Sequence, residues 1–292
     1  MLFPTAGIEV PVWVPPLVAF GISFCTSIGG VSGAFLLLPF QMSVFGYTHP
    51  SVSATNQLFN VVAIPSGVWR YWREGRMVWP LSVAVILGTL PGVVLGAYLR
   101  LAYLPDPRRF KLFAAAVLAY IGVRLARDVV RRTAGSPQSG RGTVLARPWN
   151  WRWIAFSFQG REYRASVWGV FLLTLVVGIV GGVYGIGGGA IVVPFFVSFL
   201  GMPVYAVAGA ALLGTLVTSV VGVVWYQMLA PWYPHLSVAP DWALGGLFGL
   251  GGMAGMYLGA RCQRFVPGRI IKAGLVVVLL GTAAKYIVEY FR

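Results

Sequence analysis

A glycine-rich phrase occurs twice in this chain, as SIGGVSGAFLLLPF at residues 27–40 and GVYGIGGGAIVVPF at residues 182–195. The copies align without a gap: Gly30 falls on Gly185, Gly33 on Gly188, Pro39 on Pro194 and Phe40 on Phe195. The register carries on through Gly46 and Gly201, Val52 and Val207, Leu58 and Leu213, Gly67 and Gly222, and Tyr71 and Tyr226. A half-length unit is therefore repeated. Each copy sets helix-breaking glycines inside an apolar run, where uncovered backbone groups must face protein, water or a ligand. Repeated units with broken apolar helices are the sequence mark of secondary transporters.

The setting is a membrane. The chain is 58% hydrophobic and 10% charged, with a mean hydropathy of +0.79, far from a soluble composition. No charged residue lies between Glu9 and Arg70, between Arg76 and Arg100, or between Arg164 and Asp241. The net charge of +15 sits almost wholly outside the apolar runs, and 19 of the 22 basic residues are arginine. That pattern fits loops facing anionic headgroups, so membrane lipids are the expected partner and nucleic acid is not. Cys25 and Cys262 lie in or beside apolar segments, which argues against a disulfide framework. MLFPTAGIEVPVW lacks a basic leading region and does not read as a cleavable signal peptide.

A hydrocarbon core of about 30 Å takes about 20 helical residues to cross. Apolar blocks fall at roughly 11–46, 51–69, 77–99 and 110–130, and again at 167–201, 204–229, 242–261 and 269–289. The first block of each half is too long for one straight crossing, so it must break at its glycines, either as a hairpin or as one crossing with an unwound middle. Loop charge favours the hairpin. It places 16 basic residues inside and 6 outside, against 14 and 8 for single crossings. Each half then makes an odd number of passes, and the halves are related by inverted topology. The expected architecture is all-α and polytopic: residues 1–130 as the first transmembrane repeat, 131–166 as a cytoplasmic linker rich in arginine and aromatics, and 167–292 as the second repeat.

Within the linker, 131–147 reads as flexible and polar. Residues 149–166 interleave aromatics with arginines around Gly160 and read as a short amphipathic hairpin at the interface, with tryptophans at headgroup depth. In the third block of each half, Gly88, Gly92 and Gly96, and then Gly251, Gly255 and Gly259, recur every fourth residue. That spacing lines one helical face and lets backbones approach closely; direct lining of a substrate path is the competing reading.

No ionisable residue lies centrally in any apolar block, which argues against a carboxylate relay, a cation exchanger and an intramembrane hydrolase. His49 and His235 fall in loops without an acid–serine partner set, and no glycine–lysine phosphate loop is present. No cofactor and no enzyme activity are expected. A site for a charge must then use backbone and neutral side chains. Where a helix restarts after a glycine break, its unpaired N–H groups and positive dipole end form an anion site. Gly30, Ser32, Gly33 and Ala34 supply that cradle in the first copy; Gly185, Gly187, Gly188 and Gly189 supply it in the second. Glycines there also serve sharp tips and close packing, which is the competing reading.

Ser53, Asn56, Asn60 and Gly67 share one face of the second block, opposite Ala208, Ala211, Thr215 and Gly222 in the other copy. Two amides at this spacing need partners, either a substrate or a neighbouring helix. Thr55, Gln57, Thr218 and Ser219 are weaker candidates of the same kind. Arg70 and Arg73 read as interfacial anchors or as a vestibule that gathers anions, and Cys25 as a small core residue.

GIGGGAIVVPFFVSFLG at 185–201, followed by AGAALLGTLVTSVVG at 208–222, resembles the TauE/SafE family of sulfite exporters, with the likeness spanning roughly 17–130 and 168–289. The resemblance implies a bacterial or archaeal inner-membrane permease that moves a small sulfur-containing anion, sulfite or an organosulfonate, usually outward. The first copy departs from the pattern, with Ser32 and Ala34 where the second has Gly187 and Gly189. A passive anion channel and a membrane scaffold or assembly protein are the competing functions. A coupling proton and a homo-oligomer are both compatible with the sequence.

Overall fold

The computed structural model describes residues 1–29, 32–75, 77–130, 145–146, 152–158, 160–262 and 268–292. Gly30 and most of the 131–151 stretch lie outside them. A two-stranded ribbon, β1 (Leu2–Phe3) and β2 (Ile8–Glu9), precedes α1 (Val14–Gly29), α2 (Ala34–Ser43), α3 (Ser51–Ala63), α4 (Pro65–Arg73), α5 (Trp79–Ala102) and α6 (Pro107–Val130). A small antiparallel sheet, β3 (Leu145–Ala146), β4 (Trp153–Phe158) and β5 (Arg161–Ser166), follows. The second half holds α7 (Val167–Tyr184), α8 (Gly189–Phe199), α9 (Val204–Leu229), α10 (Trp242–Cys262) and α11 (Gly268–Phe291). The result is an all-α polytopic architecture with minor β elements.

Among the described residues, α5, α7, α10, Ala206–Trp232 and Ile270–Phe291 are long and apolar enough to span a bilayer. Large apolar side chains such as Leu87, Leu95, Leu172, Val176, Leu250 and Val277 face outward, while Ser53, Asn56, Gln57, Asn60, Thr89, Thr174 and Thr218 are buried. An apolar exterior around a polar interior is what lipid as solvent demands.

The block expected as one helix over 51–69 is two. Pro65 begins α4, because its ring removes the N–H that would continue α3 and crowds the preceding turn. The aligned position in the second half is Val220, and α9 runs unbroken through it for 26 residues.

The glycine ladders set the helix contacts. A Cβ on Gly88 would meet Thr174 and Phe171, one on Gly92 would meet Leu175 and Ile179, and one on Gly96 would meet Ile179 and Val183. The contact advances in the same sense along both chains, so α5 and α7 run parallel with backbones nearly touching. Gly251, Gly255 and Gly259 of α10 do the same against Pro16, Phe20 and Phe24 of α1. Close packing, as expected, is the use made of both ladders.

Register fixes the remaining directions. Gly245 and Gly249 of α10 press on Leu58 and Val62, so α3 runs with α10; Gly214 presses on Val85, and with Tyr226 beside Arg100 this sets α9 parallel to α5. Gly222 meets Gln57 while Gly67 meets Leu212, which makes α9 antiparallel to the α3–α4 pair. Gly122 lies on Leu279 and Leu280, and Lys111 pairs with Glu289 at 2.6 Å, so α6 and α11 are antiparallel. Each helix of the first half thus runs opposite to the helix in the same place in the second.

These directions decide how the glycine-rich blocks break. The N-terminal segment and the starts of α3 and α10 meet at one end: Ser237 Oγ donates to Thr5 O at 2.7 Å and lies 3.0 Å from Ser51 Oγ. Since α1 rises from that end and α3 begins there, α1 and α2 form a hairpin. By the same reasoning α7 and α8 form one from the opposite end. At that opposite end gather Arg70, Arg73, Arg127, Arg161, Arg261 and Lys272, hereafter the basic end.

Asp241 ties the other end together. Its Oδ1 accepts from Leu244 N–H at 3.0 Å as the cap of α10, its Oδ2 accepts from Ala6 N–H at 3.2 Å, and its own N–H donates to Thr55 Oγ1 at 2.9 Å. Burial pushes the neighbouring Tyr47 hydroxyl up, keeping it neutral beside Thr55 Oγ1 at 2.9 Å. Asp241→Ala should lose the cap, about 1 kcal/mol, and leave Ala6 N–H unpaired. Hydrogen exchange checks it: faster exchange at Ala6 with Asp241→Asn in between is the expected result, and unchanged exchange contradicts the bridge.

In the linker, β4 and β5 pair as an antiparallel hairpin turned at Gly160, whose φ is +75°. Ile154, Phe156 and Phe158 are buried while Trp153 is exposed, so the hairpin is amphipathic. Phe156 stacks on its cross-strand partner Tyr163 at 5.3 Å.

Candidate functional site

The two hairpin tips approach each other from opposite ends and meet on α3. At the second tip, Gly185 ends α7 with φ +85°, and its N–H and that of Ile186 both return to Gly181 O, at 2.8 and 3.1 Å. Gly187 turns the chain again at φ +72°. Gly189 then starts α8 hard against α9, where a side chain would strike Ala211 O and the backbone of Thr215. At the first tip Ala34 N–H lies 3.4 Å from Ser32 Oγ, and Leu36 and Leu37 N–H return to Gly33 O.

A helix end inside the molecule must find donors for its last carbonyls, and α7 takes them from side chains. Tyr226 Oη donates to Gly182 O at 3.1 Å, and Ser53 Oγ to Val183 O at 3.0 Å. Asn60 Nδ2 donates to Ile186 O at 3.0 Å. Asn56 Nδ2 donates to Gly185 O and also to Ala34 O, both at 3.1 Å. One amide therefore holds both tips, each by a single bond. The amide face of α3 is explained by this: Ser53, Asn56 and Asn60 are spaced to follow the exposed carbonyls at the end of α7.

The orientation of the two asparagines follows from these carbonyls, since the reverse would set oxygen against oxygen. Their Oδ1 atoms are left without a protein partner, as are both polar atoms of Gln57, Ser219 Oγ and Ser23 Oγ. Ser23 lies against Gly33, Ser219 against Gly187, and Gln57 against Gly222. A set of unpaired polar atoms thus surrounds both tips in the buried interior, each costing about 1–3 kcal/mol while unmatched.

The proposed residues do not all stand in equivalent places. Gly185, Gly187, Gly188, Gly189, Asn56 and Asn60 converge on the second tip, and Gly33 and Ser32 belong to the first. Thr215 adjoins the second tip through its backbone, but its hydroxyl bonds within α9 to Ala211 O at 2.9 Å. Gly188 N–H, expected to face a ligand, donates to Thr218 Oγ1 at 3.0 Å. In this conformation that N–H is taken by the protein itself. Arg70 is exposed and pairs with Glu74 at 2.8 Å, as a surface anchor would.

Sequence reasoning passed over Tyr226, Tyr184 and Thr89. Tyr184 Oη reaches Phe35 O at 3.0 Å, linking the hairpins a second time. Thr89 packs where side chains at Gly178 and Gly188 would stand. Their signal was available as polar residues inside apolar runs, but nothing local showed which backbone each would meet.

The family model described as sulfite exporter TauE/SafE matches residues 16–286, nearly the whole chain. No curated protein and no solved structure gave a match. Spanning helices, a polar interior at two broken hairpins, and a match of that extent agree: this chain belongs to the TauE/SafE sulfite exporter family and is a multi-pass membrane transporter for a small anionic substrate.

Proposed function

We propose that this protein is a secondary transporter that moves a sulfur oxyanion, sulfite or an organosulfonate, across the inner membrane by alternating access between two inverted halves. The observation that carries the reading is Asn56, whose one amide group bridges the tips of two hairpins that enter from opposite ends. A group shared between the tips is the natural point of exchange. When one hairpin withdraws, the amide and the tip's own N–H groups become donors for an anion held between them. The antiparallel relation of matching helices supports inverted repeats, and the arginine-rich end supports a cytoplasmic side there. The unpaired Oδ1 atoms of Asn56 and Asn60 add acceptors, which suits a cargo that also carries a proton, such as bisulfite.

Flux into proteoliposomes tests this with sulfite, sulfate, thiosulfate and a sulfonate, with and without a pH gradient. Saturable sulfite or sulfonate flux that a gradient drives uphill is the expected result. Flux that never concentrates the anion would point to a channel instead, and movement of none of the four would remove the reading.

A further inference from the structure

Arg100 is the largest fully buried side chain in the described protein. It lies in the last turn of α5, where a residue counted only as a loop-side charge was expected. Its Nη1 donates to Leu104 O, and its guanidinium carbon lies 3.7 Å over the ring of Phe110. Nε and Nη2 have no partner. Among the described residues no carboxylate forms an ion pair with it; Asp106, the closest in sequence, accepts from Arg108 N–H at 2.9 Å. Tyr226 is its neighbour on α9, and that hydroxyl donates to Gly182 O. Trp225 Nε1 is also buried without a partner, and its side chain packs against the cluster of Ala54, Ala97, Leu101, Tyr226 and Val238. The unmet atoms of Arg100 and Trp225 are all donors.

A carbonyl at the end of α5 and one aromatic face offset part of a buried positive charge. They do not use the Nε–Nη2 edge. That edge is the side-on fork with which arginine grips two oxygens of one oxyanion. Arg100 also stands on the same helix as the contacts with the second hairpin. One turn before Arg100, Gly96 packs on Ile179 and Val183 of the second hairpin, and beyond Arg100 is the end opposite the basic one.

We propose that Arg100 is a binding residue for the transported oxyanion, taking two of its oxygens on the Nε–Nη2 edge between the second tip and the end opposite the basic end, under the α5–α6 turn. This rests on the reading of the protein as an anion transporter. The phosphate of a lipid headgroup presents the same chemistry, and the experiment separates the two sources.

The test is equilibrium binding of radiolabelled sulfite to the full chain in nanodiscs of zwitterionic lipid, for wild type, Arg100→Gln and Arg100→Lys. Loss of a charge-assisted pair should weaken binding roughly ten- to a hundredfold in Arg100→Gln, with Arg100→Lys between because it keeps the charge without the fork. A purely structural role would lower thermal stability and leave the dissociation constant unchanged, which overturns the proposal. If Arg100→Gln does not fold, Arg100→Lys decides: several-fold weaker binding supports the site, and unchanged binding overturns it. Anionic lipid that co-purifies with wild type and not with Arg100→Gln, together with equal sulfite binding, assigns the edge to lipid and overturns the cargo role. Flux in proteoliposomes distinguishes the two readings. Normal flux with normal binding in the variants removes Arg100 alone. A wild type that binds sulfite through Arg100 but moves no anion removes the transporter reading and keeps the site.

Discussion

Asn56→Asp is expected to abolish anion flux and to lower stability more than any other single change on α3. The side chains are nearly the same size, so packing is not the cause. The aspartate has no N–H to give: Gly185 O loses its donor, and Ala34 O loses a second bond beside the one it makes within the first turn of α2. One orphaned carbonyl at about 1–3 kcal/mol and one further bond at about 1 kcal/mol come to a few kcal/mol before the burial of a new charge is added. That charge would also repel an anion at the proposed site. Asn60→Asp breaks a single bond, to Ile186 O, and should cost about 1 kcal/mol less by the same estimate. The measurement is thermal unfolding in detergent beside sulfite flux in proteoliposomes. Flux within twofold of wild type for Asn56→Asp would mean that the bridge between the tips has no part in transport.

Gly185→Ala is expected to be the most damaging one-methyl substitution in the second hairpin. Two effects combine there. The backbone stands at φ +85°, and a Cβ would be driven into the carbonyl and Cα of Ser53. The conformation costs alanine about 1–2 kcal/mol, and forcing a methyl into a packed interior adds about 1–3 kcal/mol. Gly201 supplies the control, with φ +61° and open space around it, so Gly201→Ala should show only the smaller, conformational part. Denaturation of both variants in the same detergent checks the difference. Equal destabilisation would show that the contact with Ser53 carries no weight.

Much of this architecture is written in local pattern. The broken blocks are visible because about 35 apolar residues cannot cross once, and the two ladders because a spacing of four marks one face of a helix. Even the choice of hairpins over unwound crossings was present in the arginines of the loops. What stayed hidden depends on pairing between distant positions. Asn56 and Asn60 were recognised as amides in need of partners, yet which end of each amide faces outward is set by carbonyls some 130 residues away. Arg100 stands only a few residues from the end of its helix, and hydropathy cannot tell a side chain that reaches headgroups from one folded under the next turn. Pro65 is in plain view, but α5 runs unbroken through Pro91, so a proline in an apolar run does not by itself tell a divided helix from a continuous one.

The pairing of α1 with α10 and of α7 with α5 has a consequence for biogenesis. α1 finds its closest companion, α10, only when residues beyond 240 have been made. Until then Pro16, Phe20 and Phe24 rest against lipid or a chaperone. Neither half is a self-sufficient unit, so the halves produced as separate polypeptides should accumulate only when made together, each completing the other like two clasped hands.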